Sequence, residues 1–178
     1  MTSTSPPEIR LDPVTEADLP HIYRGLSDPR VVACYGVSYD SLTACQAQMD
    51  WYAELIRTDR GAWHLIRNPH TKEPLGAIGY NDADLQHRRA ELGYWLYPEH
   101  WGKGVMSAAL RLWLPLTYRT TALHRLLAVV EELNVPSARL LERAGFRYEG
   151  TARECERKGE SFISLRHYAL LRSDLPDL

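Results

Sequence analysis

Only three of the 178 residues are cysteine, Cys34, Cys45 and Cys155, and none falls in a Cys-x-x-Cys spacing or beside a cluster of histidines. An odd and scattered set supports neither a disulfide framework nor a zinc site, and it suits a reducing cytoplasm. The seven histidines show no HxxxH or HExxH spacing, so no metal site is expected. Positive charge is not in excess either: 21 Lys plus Arg stand against 23 Asp plus Glu, a net charge of −2, which argues against nucleic acid as a partner. Long apolar runs are missing. The longest apolar region, residues 105–116, is broken by Ser107, Arg111 and Pro115 and falls short of the ~20 residues needed to cross a bilayer. Residues 1–10 are polar, with Pro6 and Pro7, and lack the basic start and apolar stretch of a secretory signal. Neither a membrane nor a nucleic acid partner is expected, and the expected location is cytoplasmic.

What remains is an ordinary globular composition, 44% hydrophobic and 25% charged, long enough to bury one real core. A single domain over 8–173 is expected, between a flexible tail at 1–7 and another at 174–178. Residues 8–11 read as a short edge strand, and Thr15 as an N-cap for a helix over 16–26, where Ala17, Leu19, Ile22, Tyr23 and Leu26 recur at helical spacing. A loop through Asp28, Pro29 and Gly36 leads to a second helix, started by Ser41 or Thr43. Strands at 62–67, 74–80 and 89–97 should be antiparallel neighbours. A helix over 104–120 follows, with Arg111, Leu110, Trp113 and Leu114 on its core face and Pro115 kinking or stopping it early. Then come a strand at 126–130, a helix at 136–144, and strands at 146–154 and 161–171. The order β-αα-βββ-α-β-α-ββ predicts a mixed α/β sheet with helices on both faces.

The chemistry concentrates in residues 91–107, where a strand runs through a glycine-rich turn straight into a helix. Gly102 and Gly104 lack a Cβ, so the turn can adopt φ > 0 and bring its backbone close to a ligand. The first N–H groups of the helix have no intrahelical acceptor, and the helix dipole and Lys103 add positive potential. Such a turn is a cradle for a pyrophosphate. It is not an NTPase phosphate loop, because Lys103 is followed by Gly104 and not by Ser or Thr, and it is not a dinucleotide fingerprint, because position 107 is Ser and the turn lies late in the chain. A second segment, 134–146, reads as a short helix capped by Asn134, opened by Pro136 and closed by Gly145 with Phe146 packing back. Asn134 and Ser137 also set polar side chains at the end of a strand, where two parallel strands can splay around a ligand.

Together these segments resemble the GCN5-related N-acetyltransferase (GNAT) superfamily, and within it the Rim-like branch of ribosomal-protein N-terminal acetyltransferases. The likeness spans residues 10–171. The superfamily's acetyl-CoA loop is Gln/Arg-x-x-Gly-x-Gly/Ala; here Trp101-Gly-Lys-Gly-Val-Met106 keeps the inner Gly104 and changes both ends, while Trp-Gly-Lys-Gly is common in the branch. Asn134, Ser137, Gly145 and Phe146 match the Asn-x-x-Ser and Gly-Phe element, and Tyr148-Glu149-Gly150 also resembles the branch. The resemblance implies a GNAT-type fold with splayed central strands. It implies acetyl-CoA or CoA as cofactor, held by the backbone of Leu96 and Tyr97, by Trp101, Gly102, Lys103, Gly104, Val105, Met106 and Ser107, and by Asn134.

Acetyl transfer to an amine needs a lone pair, so an ammonium must first lose a proton. An α-amino group, with a pKa of about 7.7 to 8.0, needs less help than a lysine near 10.4. Glu91 shares a strand face with Trp95 and Tyr97 and can project into the cleft. By the resemblance, Glu156 stands where the branch carries a carboxylate acting through water, and is preferred to Glu91 as general base; Ser137 matches the proposed general acid. Tyr148 is an alternative donor that otherwise packs. Trp51, Tyr52, Glu54, Asp82 and Asp84 are candidates for an aromatic and acidic acceptor entrance. The expected acceptor is a protein N-terminal amine, with a polyamine or aminoglycoside as alternative, and a non-catalytic acyl-CoA-binding module as the reading of another class. Pairing of two copies into a homodimer stays open.

Overall fold

Asp28 and Ser41 open helices as short polar side chains do: Asp28 Oδ1 accepts the Arg30 N–H at 2.9 Å, and Ser41 Oγ accepts that of Ala44 at 3.1 Å. The computed structural model describes residues 6–175; residues 1–5 and 176–178, within the two expected tails, lie outside the described residues. Its elements are β1 (Arg10–Pro13), α1 (Leu19–Leu26), α2 (Pro29–Val32), α3 (Leu42–Arg57), β2 (Ala62–Arg67), β3 (Pro74–Asp84), β4 (Arg89–Leu96), α4 (Val105–Thr120), β5 (Arg125–Glu131), α5 (Val135–Arg143), β6 (Arg147–Lys158) and β7 (Ser161–Leu171). The order matches the expected one with α2 added: Asp28 caps and Pro29 opens a short helix where the sequence reading has a loop.

The strands form one sheet in the order β1-β2-β3-β4-β5-β7-β6, antiparallel throughout except for the parallel pair β4 and β5. Period-2 alternation divides each strand between two cores. Leu65, Ala77, Trp95 and Tyr97 meet Ile22 and Leu26 of α1 and Cys45, Met49, Tyr52 and Leu55 of α3. Ile66, Ile78, Leu92, Leu126 and Leu170 meet α4 and α5 on the opposite face. Among the described residues, the apolar cluster under α1 and α3 takes no residue from β5, β6 or β7.

Several local expectations change. The first strand starts at Arg10, not at residue 8, and residues 16–18 form a 3₁₀ turn before α1. Asp18, 6% exposed, accepts from Arg67 at 2.6 Å and ties this turn to β2. Pro115 lies inside α4 without ending it. Trp113 and Leu114 on one side of the proline and Thr117 and Tyr118 on the other are buried, and the Tyr118 hydroxyl donates to the Leu170 carbonyl at 2.7 Å, so packing offsets the missing backbone bond. Arg111 faces solvent and not the core. The strand expected to end at 154 runs on through Glu156 to Lys158, with a bulge at Gly150, φ 149°.

Candidate active site

The parallel ladder between β4 and β5 has three rungs, Arg89 to Arg125, Ala90 to Leu126 and Glu91 to Leu127, and then stops while β4 continues to Leu96. Tyr97 N–H donates to the Leu75 carbonyl at 3.0 Å, which makes the odd-numbered residues of β4 the ones bonded to β3. The amides and carbonyls of Tyr94 and Leu96 therefore point into the gap beside β5. Of the two residues expected to hold a cofactor there, Leu96 faces the gap, whereas the Tyr97 amide is spent on β3 and its ring is buried.

At the mouth of this gap the chain turns into α4. Trp101 pins the turn by donating its indole N–H to the Leu96 carbonyl at 2.9 Å. Gly102 and Gly104 take φ of 69° and 76°, the left-handed region that side chains resist. Gly104 is the N-cap and offers no side chain, and the first backbone bond within the helix runs from Ala108 N–H to the Gly104 carbonyl at 3.0 Å. The N–H groups of Val105, Met106 and Ser107 thus have no acceptor in the helix. The Val105 and Met106 side chains are buried in the core, so these residues contribute backbone alone, while Lys103 stays exposed. A Cβ at Gly102 would meet nothing within 4 Å, and one at Gly104 only Pro7 Cδ at 3.6 Å, so the space before the helix is open.

Across the gap, Asn134 caps α5, its Oδ1 accepting the Ser137 N–H at 3.3 Å. Ser137 Oγ lies 2.6 Å from the Tyr94 hydroxyl, a pair in which either group can donate. Burial pushes the Tyr94 phenol up to about 12, so it keeps its proton at neutral pH. Tyr148, the alternative donor, shares a hydrogen bond with Thr151 Oγ1 at 2.7 Å and packs its ring on Tyr168.

The other face of β4 carries Glu91. Burial raises its carboxyl above the ordinary value, the charges of Asp82 and Glu156 raise it further, and His167 acts in the opposite sense. Glu156 itself is exposed on β6. The two sequence-proposed carboxylates thus lie within electrostatic reach of each other, with Glu91 the enclosed member. Tyr35, missed by the sequence reading, stands there too: its hydroxyl lies 3.7 Å from where a Cβ on Gly93 would be. It sits in a loop without periodicity, where no local pattern marks it. His167 was also missed; it pairs with Val129 in register, and its alternation on β7 is the signal that shows its face. Of the expected entrance residues, Tyr52 is buried against Trp63 at 5.4 Å between ring centroids, Trp51 stays partly exposed, Glu54 is bound to Arg57, and Asp84 is engaged by the His87 N–H and Arg89. Asp82 alone of the carboxylates in that set reaches Glu91 electrostatically.

A family model for the acetyltransferase (GNAT) domain matches residues 8–147. The chain belongs to the GNAT acetyltransferase family. It is 33% identical to the uncharacterized N-acetyltransferase YoaA of Bacillus subtilis, over 79% of this chain and 80% of that one. Its fold matches the spermidine N-acetyltransferase of Vibrio cholerae in complex with CoA and spermine at a TM-score of 0.83, with 21% identity over 93% of this chain and 96% of the other. It also matches, at 0.82 and 19% identity over 92% and 94%, the Salmonella typhimurium acetyltransferase that modifies the N-terminal serine of ribosomal protein L7/L12. As a GNAT enzyme the chain is an N-acetyltransferase with acetyl-CoA as donor. The residues present fit that donor: unpartnered amides of 105–107 and two left-handed glycines suit its diphosphate, and the backbone edge of Tyr94 with the Leu96 amide suits its amide-bearing arm. When bound, it supplies an acetyl thioester to the gap.

Proposed function

We propose that this N-acetyltransferase acetylates the α-amine of a protein or peptide, with Glu91 as general base. The supporting observation is the enclosure of Glu91, a half-buried carboxyl held above its ordinary value at the end of the β4–β5 ladder. A carboxylate raised in this way is matched to an acceptor of pKa about 7.7 to 8.0 and poorly matched to a lysine near 10.4. Glu91 takes the ammonium proton directly or through a water, which frees the nitrogen lone pair. Tyr94 and Ser137, joined across the gap, hold the protons available to the departing thiolate. Asn134, held as the α5 cap, keeps Ser137 in place. Exposed Glu156 contributes negative potential near Glu91 and supports the ammonium form during approach. Three free cysteines suit a cytoplasmic setting.

The grouping of Asp82 and Glu156 around Glu91 favours a second reading, a polyamine acceptor bound by several carboxylates. Thiol release from acetyl-CoA, measured with a peptide bearing a free N-terminus, an N-blocked lysine peptide and spermidine, separates the two. The peptide with the free N-terminus is the expected substrate, and turnover of spermidine alone would overturn the choice.

A further inference from the structure

The Lys158 ammonium, at the end of β6, bonds to the Glu131 carboxylate and to the backbone carbonyl of Ala33 at the close of α2. It thereby joins the β6–β7 hairpin, the tip of β5 and the segment that carries Tyr35, three elements far apart in sequence. Tyr35 follows Ala33 by two residues, and its hydroxyl reaches over Gly93, the next residue after Glu91 on the same face of β4. Gly93 is required by Trp63, whose ring a Cβ there would approach to 2.6 Å, while the Tyr35 hydroxyl at 3.7 Å stands in ordinary contact beside it. The Trp63 ring therefore lies on Gly93, with Tyr35 and Glu91 beside it. The apolar cluster under α1 and α3 stops at β4 among the described residues, whereas the Ala33 carbonyl reaches Lys158 at the end of β6.

We propose that Lys158 is a positioning residue for the acceptor site, clamping the Ala33–Tyr35 segment across the sheet so that the Tyr35 ring walls the amine pocket and shields Glu91. The inference rests on Glu91 as the base. The titratable and charged groups around Glu91 are Asp82 of β3, Glu156 of β6, His167 of β7 and Tyr35 itself. Tyr35 keeps its proton, since burial raises its phenol well above the ordinary value. Releasing the clamp admits water to Glu91, and hydration favours the carboxylate, so its pKa falls. Merely deleting a nearby positive charge would do the reverse and raise it. The two effects have opposite signs, which separates positioning from simple electrostatics.

The experiment compares Lys158→Met, Lys158→Arg, Tyr35→Ala, Tyr35→Phe and Glu91→Gln by thiol release with a peptide bearing a free N-terminal serine, across about pH 5 to 9. Lys158→Met should move the acid limb of kcat/KM down by about half a pH unit and raise the peptide KM about fivefold, leaving the acetyl-CoA KM unchanged. Tyr35→Ala should do the same, Tyr35→Phe, which keeps the ring, should shift both readouts less than Tyr35→Ala, and Lys158→Arg should restore the parent values. An acid limb that moves up in Lys158→Met, or one unmoved together with an unchanged peptide KM, overturns the clamp. If Glu91→Gln keeps the parent kcat, the base assignment itself is overturned. Lys158 is partly exposed, so its variants report on the site even where a Tyr35 variant folds poorly.

Discussion

The diphosphate cradle at the start of α4 is tested most directly by placing a side chain on Gly104. Valine there must adopt a φ of 76°, which is strained for any β-branched residue whatever room surrounds it. The left-handed conformation costs about 1–2 kcal/mol. For a domain of this size each kcal/mol lowers Tm by about 2–4 °C, so a drop of roughly 2–8 °C is expected. Gly145→Val, at φ 95° past the end of α5 with only Leu170 Cδ1 at 3.5 Å, carries a like strain far from the cradle and serves as the control. The two variants part in their handling of the donor. Displacing one amide–phosphate hydrogen bond forfeits about 1.5–3 kcal/mol, a roughly 10- to 100-fold rise in the acetyl-CoA KM or Kd. Calorimetric titration with acetyl-CoA, paired with thermal melts, reads both quantities. If Gly104→Val melts early like Gly145→Val yet binds acetyl-CoA as tightly, the unpartnered amides are not where the diphosphate rests.

Glu91→Gln should lower kcat by about 10²- to 10⁴-fold with little change in acetyl-CoA affinity, and Glu156→Gln should do less; steady-state thiol release against both substrates checks the ranking. Because Glu91 must be ionised to accept a proton and its pKa is raised, kcat/KM should fall as pH drops through a value above 4.5, and a pH profile of the parent enzyme shows that limb. The same raised value means the folded state favours protonated Glu91: its stabilising share is full below the unfolded pKa and lost as pH rises through the folded one. Glu91→Gln should therefore melt above the parent at neutral pH and converge with it in acid. Asp18→Ala removes the closer of the two carboxylates on Arg67, whose side chain is 16% exposed and keeps Asp12 at 3.4 Å, and urea denaturation should show a loss of about 1.5–3 kcal/mol with activity per folded molecule kept.

Much of this architecture is legible in the chain because its signals are local. The glycines at 102 and 104 take the left-handed angles expected of them, Asn134 caps its helix, and the strand runs at 62–67 and 161–171 fall where periodicity places them. Helix α2 carries a readable Asp-Pro start, but four residues are too few for periodicity to register. Pro115 misleads in the opposite way: its local preference is to interrupt, and buried Trp113 and Tyr118 overrule it through tertiary contact. The acceptor side is the least legible part. Tyr35, Glu91, Glu156 and His167 lie on four separate segments, and no spacing along the chain announces that they meet. Glu156 stands above Glu91 as base by the resemblance alone; the difference in burial on which the proposal of Glu91 rests exists only after folding.

The early end of the β4–β5 ladder opens a window in the sheet. The helix start that suits the donor lies on one side of it, and the carboxylates that suit the amine lie on the other. Neither reactant need leave before the other arrives, and no side chain has to carry the acyl group in between. Initial-rate plots should accordingly show intersecting lines, the mark of both substrates present on the enzyme at once.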